Sequence, residues 1–441
     1  MPIRKIPGLD TKYSMVVVDE DGAENATDPD VASGPMSDVI MDEIKAGKVT
    51  DVFIWTHGWK GDIPAAFDQY DRWIGAFSKL DLDRQKMAQK RPSFKEFHIG
   101  FHWPSLQWGD EETASGASFS SFDTPAGKTV QSYVDTYAPR LGDSPKVRGA
   151  LTKLFTELAK NAAKKELTPV ARDAYIELDK ALDLDGSGAS SDRLAFNPDK
   201  AVKEAYSGVA FGPGFLSKLL APLQQLTFWT MKKRGQTVGE QGLHALINRI
   251  QKAAPDVHVH LMGHSFGCVV TCAALGGAGG NTPLTRPVDS CVLVQGAMSL
   301  WAFARVIPVR AGVAGYFWHL TPDGKVSGPI VTTRSMHDLA VGKLYPWAAG
   351  VANQISFGLG DEVDLAELPQ FGGIGAFGIQ GVPVKDGTMK SWDGEYGFAG
   401  NTIYNLESSA FIKKRDGLSG AHSDIDGPEV AHVVWQAAFP A

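Results

Sequence analysis

Apolar positions along this chain keep two rhythms: short solid runs, and stripes that recur every three or four residues. Solid runs read as strands buried on both faces, and stripes read as helices laid against them. The first run, Lys12–Asp19, carries Tyr13, Met15, Val16, Val17 and Val18 and ends in Asp-Glu-Asp-Gly. A short helix over Pro35–Lys45 follows, with Ser37 as its N-cap. Asp51–Trp59 is a second run that passes into a polar turn at His57-Gly58. Ala65–Leu80 places Phe67, Tyr70, Trp73, Ile74 and Phe77 at helical spacing, and Phe94–Trp103 is a further strand stopped by Pro104-Ser105.

The alternation ceases at Leu106 and resumes near Gly235. The intervening stretch is first rich in serine and glycine, then helical, with amphipathic segments at Leu151–Lys164 and Ala171–Leu182. Its most apolar stripe is Pro213–Met231, which carries Leu219, Leu220, Leu223, Leu226, Phe228 and Trp229; Pro222 is expected to kink or divide it. Residues 106–235 therefore predict a mostly helical insertion, a cap over the sheet edge, while 1–105 and 236–441 form the sheet domain. Beyond it the pattern gives a helix (Glu240–Ala253), a strand (Val257–Met262) and a run of small residues (Cys268–Leu275). Strands at Val288–Val294 and Gly328–Thr333, a glycine-rich loop at Phe357–Val382, a strand at Asn401–Leu406 and a closing helix at Pro428–Ala438 complete it. Such alternation implies an α/β fold with a mainly parallel sheet, helices on both faces, and function gathered at the carboxyl ends of the strands.

Composition narrows the classes. With 441 residues and 43% apolar content, the chain can bury one large core and carry an insertion. A net charge of −7 with no basic stripe argues against a nucleic-acid partner. The opening MPIRKIPGLD lacks the apolar segment of a secretory signal, and no stretch of eighteen apolar residues predicts a membrane span. Cys268, Cys272 and Cys291 all fall in predicted core, as reduced thiols of a cytoplasmic protein would.

The chemistry centres on Gly263-His264-Ser265-Phe266-Gly267, between an apolar strand and a run of small residues. Strand, abrupt turn bearing serine, then helix is the layout of a nucleophile elbow. Chance alone gives about 0.3 such pentapeptides in a chain of this composition, so its neighbours carry the weight. The turn would lift the Ser265 hydroxyl above the sheet edge and aim the Phe266 N–H at a developing oxyanion. An activated serine needs a base and an orienting acid, and one known arrangement runs Ser, Asp or Glu, then His along the chain. Asp338, beyond the strand ending Val331-Thr332-Thr333, and His422, in a polar loop before the closing helix, fall in that order. Asp361 and Asp364 are alternative acids; His432 is an alternative base, poorly placed inside the closing helix.

These features together resemble the α/β-hydrolase superfamily. A closer likeness is to a group of poorly characterised bacterial hydrolases. It rests on His57-Gly58, Trp103-Pro104-Ser105 and His260-Leu261-Met262-Gly263-His264-Ser265, and covers roughly 45–105 and 235–440. The large insertion departs from many relatives, whose lids more often follow the strand after the nucleophile helix. The resemblance implies a second oxyanion donor at the Trp59 backbone N–H, with His57 bracing the turn.

His258 and His260 share one strand face at a spacing some metal sites use, but no second ligand cluster accompanies them, so they are expected to be structural. Cys268, one helical turn beyond Ser265, reads as packing. Trp59, Trp103 and Trp108, near strand ends, and Phe228, from the insertion, could supply an apolar acyl pocket. The expectation is a soluble serine hydrolase that cleaves carboxylic esters with an apolar acyl part through Ser265, His422 and Asp338, needing no metal or organic cofactor. A peptidase or amidase would use the same machinery, and a non-catalytic binding protein on this fold would have lost a member of the relay.

Overall fold

The computed structural model describes residues 3–27, 34–59, 62–105, 129–161, 166–184, 192–206, 218–308, 310, 312–350 and 368–439. Among these residues nine strands form one sheet: β1 Ile3–Lys5, β2 Lys12–Val17, β3 Asp51–Thr56, β4 Glu96–His102, β5 His258–His264, β6 Ser290–Val294, β7 Ile330–Arg334, β8 Lys385–Thr388 and β9 Ile403–Glu407. Their order is β1-β2-β4-β3-β5-β6-β7-β9-β8. Only β1 runs antiparallel to its neighbour; every other pairing is parallel.

Helices cover both faces, and a single step along β4 shows it. Gly100 lies beneath Tyr70 of helix Ile63–Ser78, while the next residue, Phe101, reaches Gly242 of the helical run on the other side. Successive strand side chains point to opposite faces, so the two helices flank the sheet. On the Tyr70 face, Phe53 and Trp55 pack against Phe77, which stacks on Trp435 of the closing helix Pro428–Ala438 with ring centroids 4.0 Å apart. All six β3 residues are buried, which is why Val52–Trp55 reads as a solid apolar run.

Local signals place the helix starts. The Asp62 carboxylate accepts the Ala65 N–H to open Ile63–Ser78. Helix Met36–Gly47 begins without a side-chain cap, contrary to the expectation for Ser37. That side chain, inside the helix, is drawn instead to the carboxylate of Glu24. An additional helix, Asp81–Lys90, has no apolar periodicity to betray it, since only Asp83 and Met87 are buried.

The chain divides into two compact units: 1–105, 234–342 and 372–441 form the first, and 106–233 with 343–371 the second. The second has its own helical core, built from Val130–Leu141, Pro145–Lys160, Pro169–Ala181, Pro198–Tyr206 and the start of Ala221–Val238. Ser144-Pro145 and Thr168-Pro169 open two of these, each hydroxyl accepting a backbone N–H and each proline sitting where no N–H is needed. Leu219, Leu220, Leu223, Leu226 and Trp229 of the apolar stripe are buried in this core, and the helical run breaks at Leu220 just ahead of Pro222. Residues 343–371, read from the sequence as part of the sheet domain, join the second unit. Trp229 Nε1 donates to the Ala348 carbonyl at 2.8 Å, and Gln225 Nε2 to that of Trp347 at 2.9 Å. Lys232 is buried between Asp192 and Tyr345. No local pattern announces contacts this remote in sequence.

Candidate active site

The site gathers beyond the carboxyl ends of the parallel strands. β5 ends at His264 and delivers Ser265 with φ +57°, a left-handed backbone that a non-glycine residue rarely adopts. The turn is held by the Ser265 N–H to the Val294 carbonyl and by the Ala297 N–H to the Ser265 carbonyl, both 3.1 Å. Helix Gly267–Gly276 departs at once. The glycines are required by crowding: a Cβ on Gly267 would lie 2.3 Å from the Thr56 carbonyl oxygen, and one on Gly58 2.5 Å from Ser265 Cβ.

His422 Nε2 stands 2.8 Å from Ser265 Oγ, and His422 Nδ1 stands 2.8 Å from Asp338 Oδ2. A carboxylate on Nδ1 fixes that nitrogen as the protonated one and leaves Nε2 to accept from the hydroxyl. Two loops make the meeting possible. An isolated antiparallel bridge joins Asp338 to Gly420, and the Ala421 N–H donates to the His337 carbonyl at 2.8 Å. His264, next to the serine, donates from Nε2 to the backbone carbonyl of His422 at 2.9 Å. Asp338 receives two further donors: the Val341 N–H on Oδ1 at 3.0 Å and Gln295 Nε2 on Oδ2 at 2.9 Å.

Hydrogen bonding alone does not single this relay out. At the amino ends of the strands, Ser290 Oγ lies 2.9 Å from His260 Nδ1, and His260 Nε2 lies 3.0 Å from Asp51 Oδ1. That set is walled in, each member being at most 1% exposed, and Arg91 pairs with its carboxylate. Ser290 sits on an extended strand, whereas Ser265 is turned out of its strand and the His422 side chain keeps 12% of its surface open. No protein-family model, curated protein or solved structure matches the chain. The site's meaning therefore rests on its geometry.

The His57-Gly58 turn is braced from several directions. The Trp103 indole donates to the His57 carbonyl at 3.0 Å, and the Ser105 hydroxyl to the Gly58 carbonyl at 3.1 Å. His57 Nδ1 donates to the Gly58 carbonyl at 2.8 Å, which leaves Nε2 to accept from His102 Nδ1 at 2.9 Å. Trp103, expected at an acyl pocket, is instead fully enclosed, with its ring parallel to His57 at a 6.0 Å centroid distance. Of the two residues expected to supply oxyanion donors, Phe266 directly follows the serine and Trp59 directly follows Gly58. Their rings lie 5.8 Å apart. Phe228 packs edge-on against Trp229 and Tyr345 within the second unit. Trp108 and the alternative acids Asp361 and Asp364 lie outside the described residues. His432, the alternative base, is held in the closing helix by Asp83 Oδ2 at 2.6 Å and by the Gly394 carbonyl at 2.5 Å.

Burial pushes His57 down to about 3, helped by the neighbouring His102, and pushes His102 down to about 4. In the unfolded chain both revert to about 6.5, so between these limits the unfolded state binds more protons. Their contribution to stability is complete above about pH 6.5 and is lost as pH falls toward 4 and below. Thermal melts should therefore fall on acidification through this window, and His102→Gln should show a shallower slope. Identical acid slopes for the two proteins would contradict this.

The three cysteines are buried and free, with their thiols pushed up by burial, Cys291 to about 12. His258 pairs with Asp289 at 2.6 Å. Among the described residues no group of three or more His, Cys, Asp or Glu could hold a metal ion, and no helix is long and apolar enough to cross a membrane.

The sequence reading anticipated His57 as a brace of the turn but missed Gln295, the His264 contact to His422, and the bracing roles of His102, Trp103 and Ser105. Gln295 had one usable signal: a polar residue immediately after β6, at the same edge as Ser265 and on the adjacent strand.

Proposed function

We propose that the chain is a serine hydrolase of carboxylic esters, with Ser265 as nucleophile, His422 as general base and Asp338 as orienting acid. The observation that carries this reading is the left-handed Ser265 at a carboxyl strand end, hydrogen-bonded through His422 to Asp338. The strand order, with the elbow on a central strand, is compatible with the α/β-hydrolase fold that the motifs resemble.

In the proposed reaction Ser265 Oγ attacks the ester carbonyl carbon as its proton passes to His422 Nε2. The resulting imidazolium is stabilised by Asp338, which also keeps the ring in the productive tautomer. The oxyanion would be received by the backbone N–H groups of Phe266 and Trp59, whose residues flank the serine from two turns. His422 returns the proton to the alkoxide leaving group, and the acyl-enzyme remains on Ser265. Water then attacks by the same route in reverse. Nothing in this sequence of steps calls for a metal or organic cofactor.

A fluorophosphonate probe tests the reading directly. The wild-type protein should be labelled stoichiometrically at Ser265 and should hydrolyse activated esters, with amides compared in the same panel. A protein that is folded yet neither labels nor turns over any ester would refute the assignment.

A further inference from the structure

We infer that Gln295 is a positioning residue for the reaction proposed above, acting through Asp338, and the inference rests on that reading. Gln295 follows β6, is fully enclosed, and has φ +46°, a second non-glycine left-handed residue beside Ser265. Two neighbouring strand ends thus bend their chains abruptly at one place. Such backbone strain persists only where the surroundings over-determine it.

The surroundings here fix the amide completely. The Gln295 N–H donates to Thr333 Oγ1 at 3.0 Å, so that hydroxyl must send its own hydrogen elsewhere; it goes to Gln295 Oε1 at 2.9 Å. With Oε1 so placed, Nε2 has one orientation. Its two hydrogens meet Asp338 Oδ2 at 2.9 Å and the Gly375 carbonyl at 3.1 Å. Asp338 Oδ2 is the oxygen that receives His422 Nδ1. Together with the Val341 N–H on Oδ1, the carboxylate is gripped at both ends and cannot rotate without breaking a buried hydrogen bond. The consequence for chemistry is twofold. Gln295 holds the plane of Asp338 so that Oδ2 faces the imidazole. It also draws electron density from that oxygen, moderating how strongly the imidazolium is held.

Gln295→Met tests this, because it removes both amide groups while keeping an unbranched side chain of similar length. Steady-state kinetics on an activated ester should show kcat lowered about 10-fold with KM within about two-fold of wild type. The pH midpoint of the rate should move up by about half a unit, since a carboxylate relieved of one donor holds the imidazolium more tightly. A purely structural role would lower Tm and leave the midpoint in place. Thr333→Val, which frees the amide to flip, should shift the midpoint in the same direction, and Thr333→Ser should restore wild-type behaviour. Should the methionine variant not fold, the threonine pair decides. Wild-type kcat and pH midpoint in a folded Gln295→Met, or in Thr333→Val where the methionine variant does not fold, would overturn the inference while leaving the Ser265 reading intact. A wild-type protein that neither labels nor turns over ester would remove both.

Discussion

Ser265→Ala should lower ester turnover by roughly 10⁴ to 10⁶ and abolish fluorophosphonate labelling, with little change in melting temperature. The loss is large because, in the proposed reaction, the three residues act as a unit. His422 and Asp338 have no proton transfer to assist once the hydroxyl is gone, and only binding and oxyanion contacts remain. The structural cost is small because, among the described residues, Oγ hydrogen-bonds only to His422. Alanine also accepts the left-handed backbone about as well as serine, so the turn held through Val294 and Ala297 should persist. Retention of more than a tenth of wild-type turnover would show that another group is the nucleophile.

The second large effect separates the two histidines and tests the acid. His422→Ala should be nearly as damaging as Ser265→Ala. His432→Ala should leave turnover per folded molecule unchanged, because its ring is committed to Asp83 and Gly394 in the closing helix. It should instead cost about 3 kcal/mol of stability, the usual consequence of stripping a partner from a buried carboxylate. Asp338→Asn should lower kcat by about 10⁴. Its amide has no good orientation: an NH₂ at the Oδ2 position faces the donors Gln295 Nε2 and His422 Nδ1, and one at Oδ1 faces the Val341 N–H. Comparable kcat values for the His422 and His432 variants would displace His422 from the role of base.

Much of the sheet is legible because its strands are buried on both faces. The β3, β5 and β6 side chains are almost all enclosed, so Val52–Trp55, Leu261-Met262 and Cys291–Val294 are solid apolar runs that a surface helix would not tolerate. The closing helix, Pro428–Ala438, has the bounds its apolar pattern and opening proline predict. Helix Asp81–Lys90 and edge strand β8, in contrast, are largely exposed and leave little periodicity to read. The elbow is local chemistry: strand, serine and glycines lie within a few residues, and the crowding at Gly267 is written in the sequence as glycine.

What the sequence alone determined is the class of the sheet, the elbow, and a short set of residues able to serve as acid and base. Which of them meet was decided by tertiary structure. Ser265, Asp338 and His422 are separated by tens of residues, and the choice of His422 over His432 turns on a bridge between the Asp338 and Gly420 loops. Gln295 entered for the same reason, since its amide finds Asp338 across forty-three positions of chain. The second unit's claim on Lys343–Phe371 also comes from such pairing, through Trp229, Gln225 and Lys232. Periodicity records which side of an element is buried. It carries no information about which distant side chain will be waiting there, because that is set by the paths of the intervening loops and by the hydrogen bonds that buried polar groups must find.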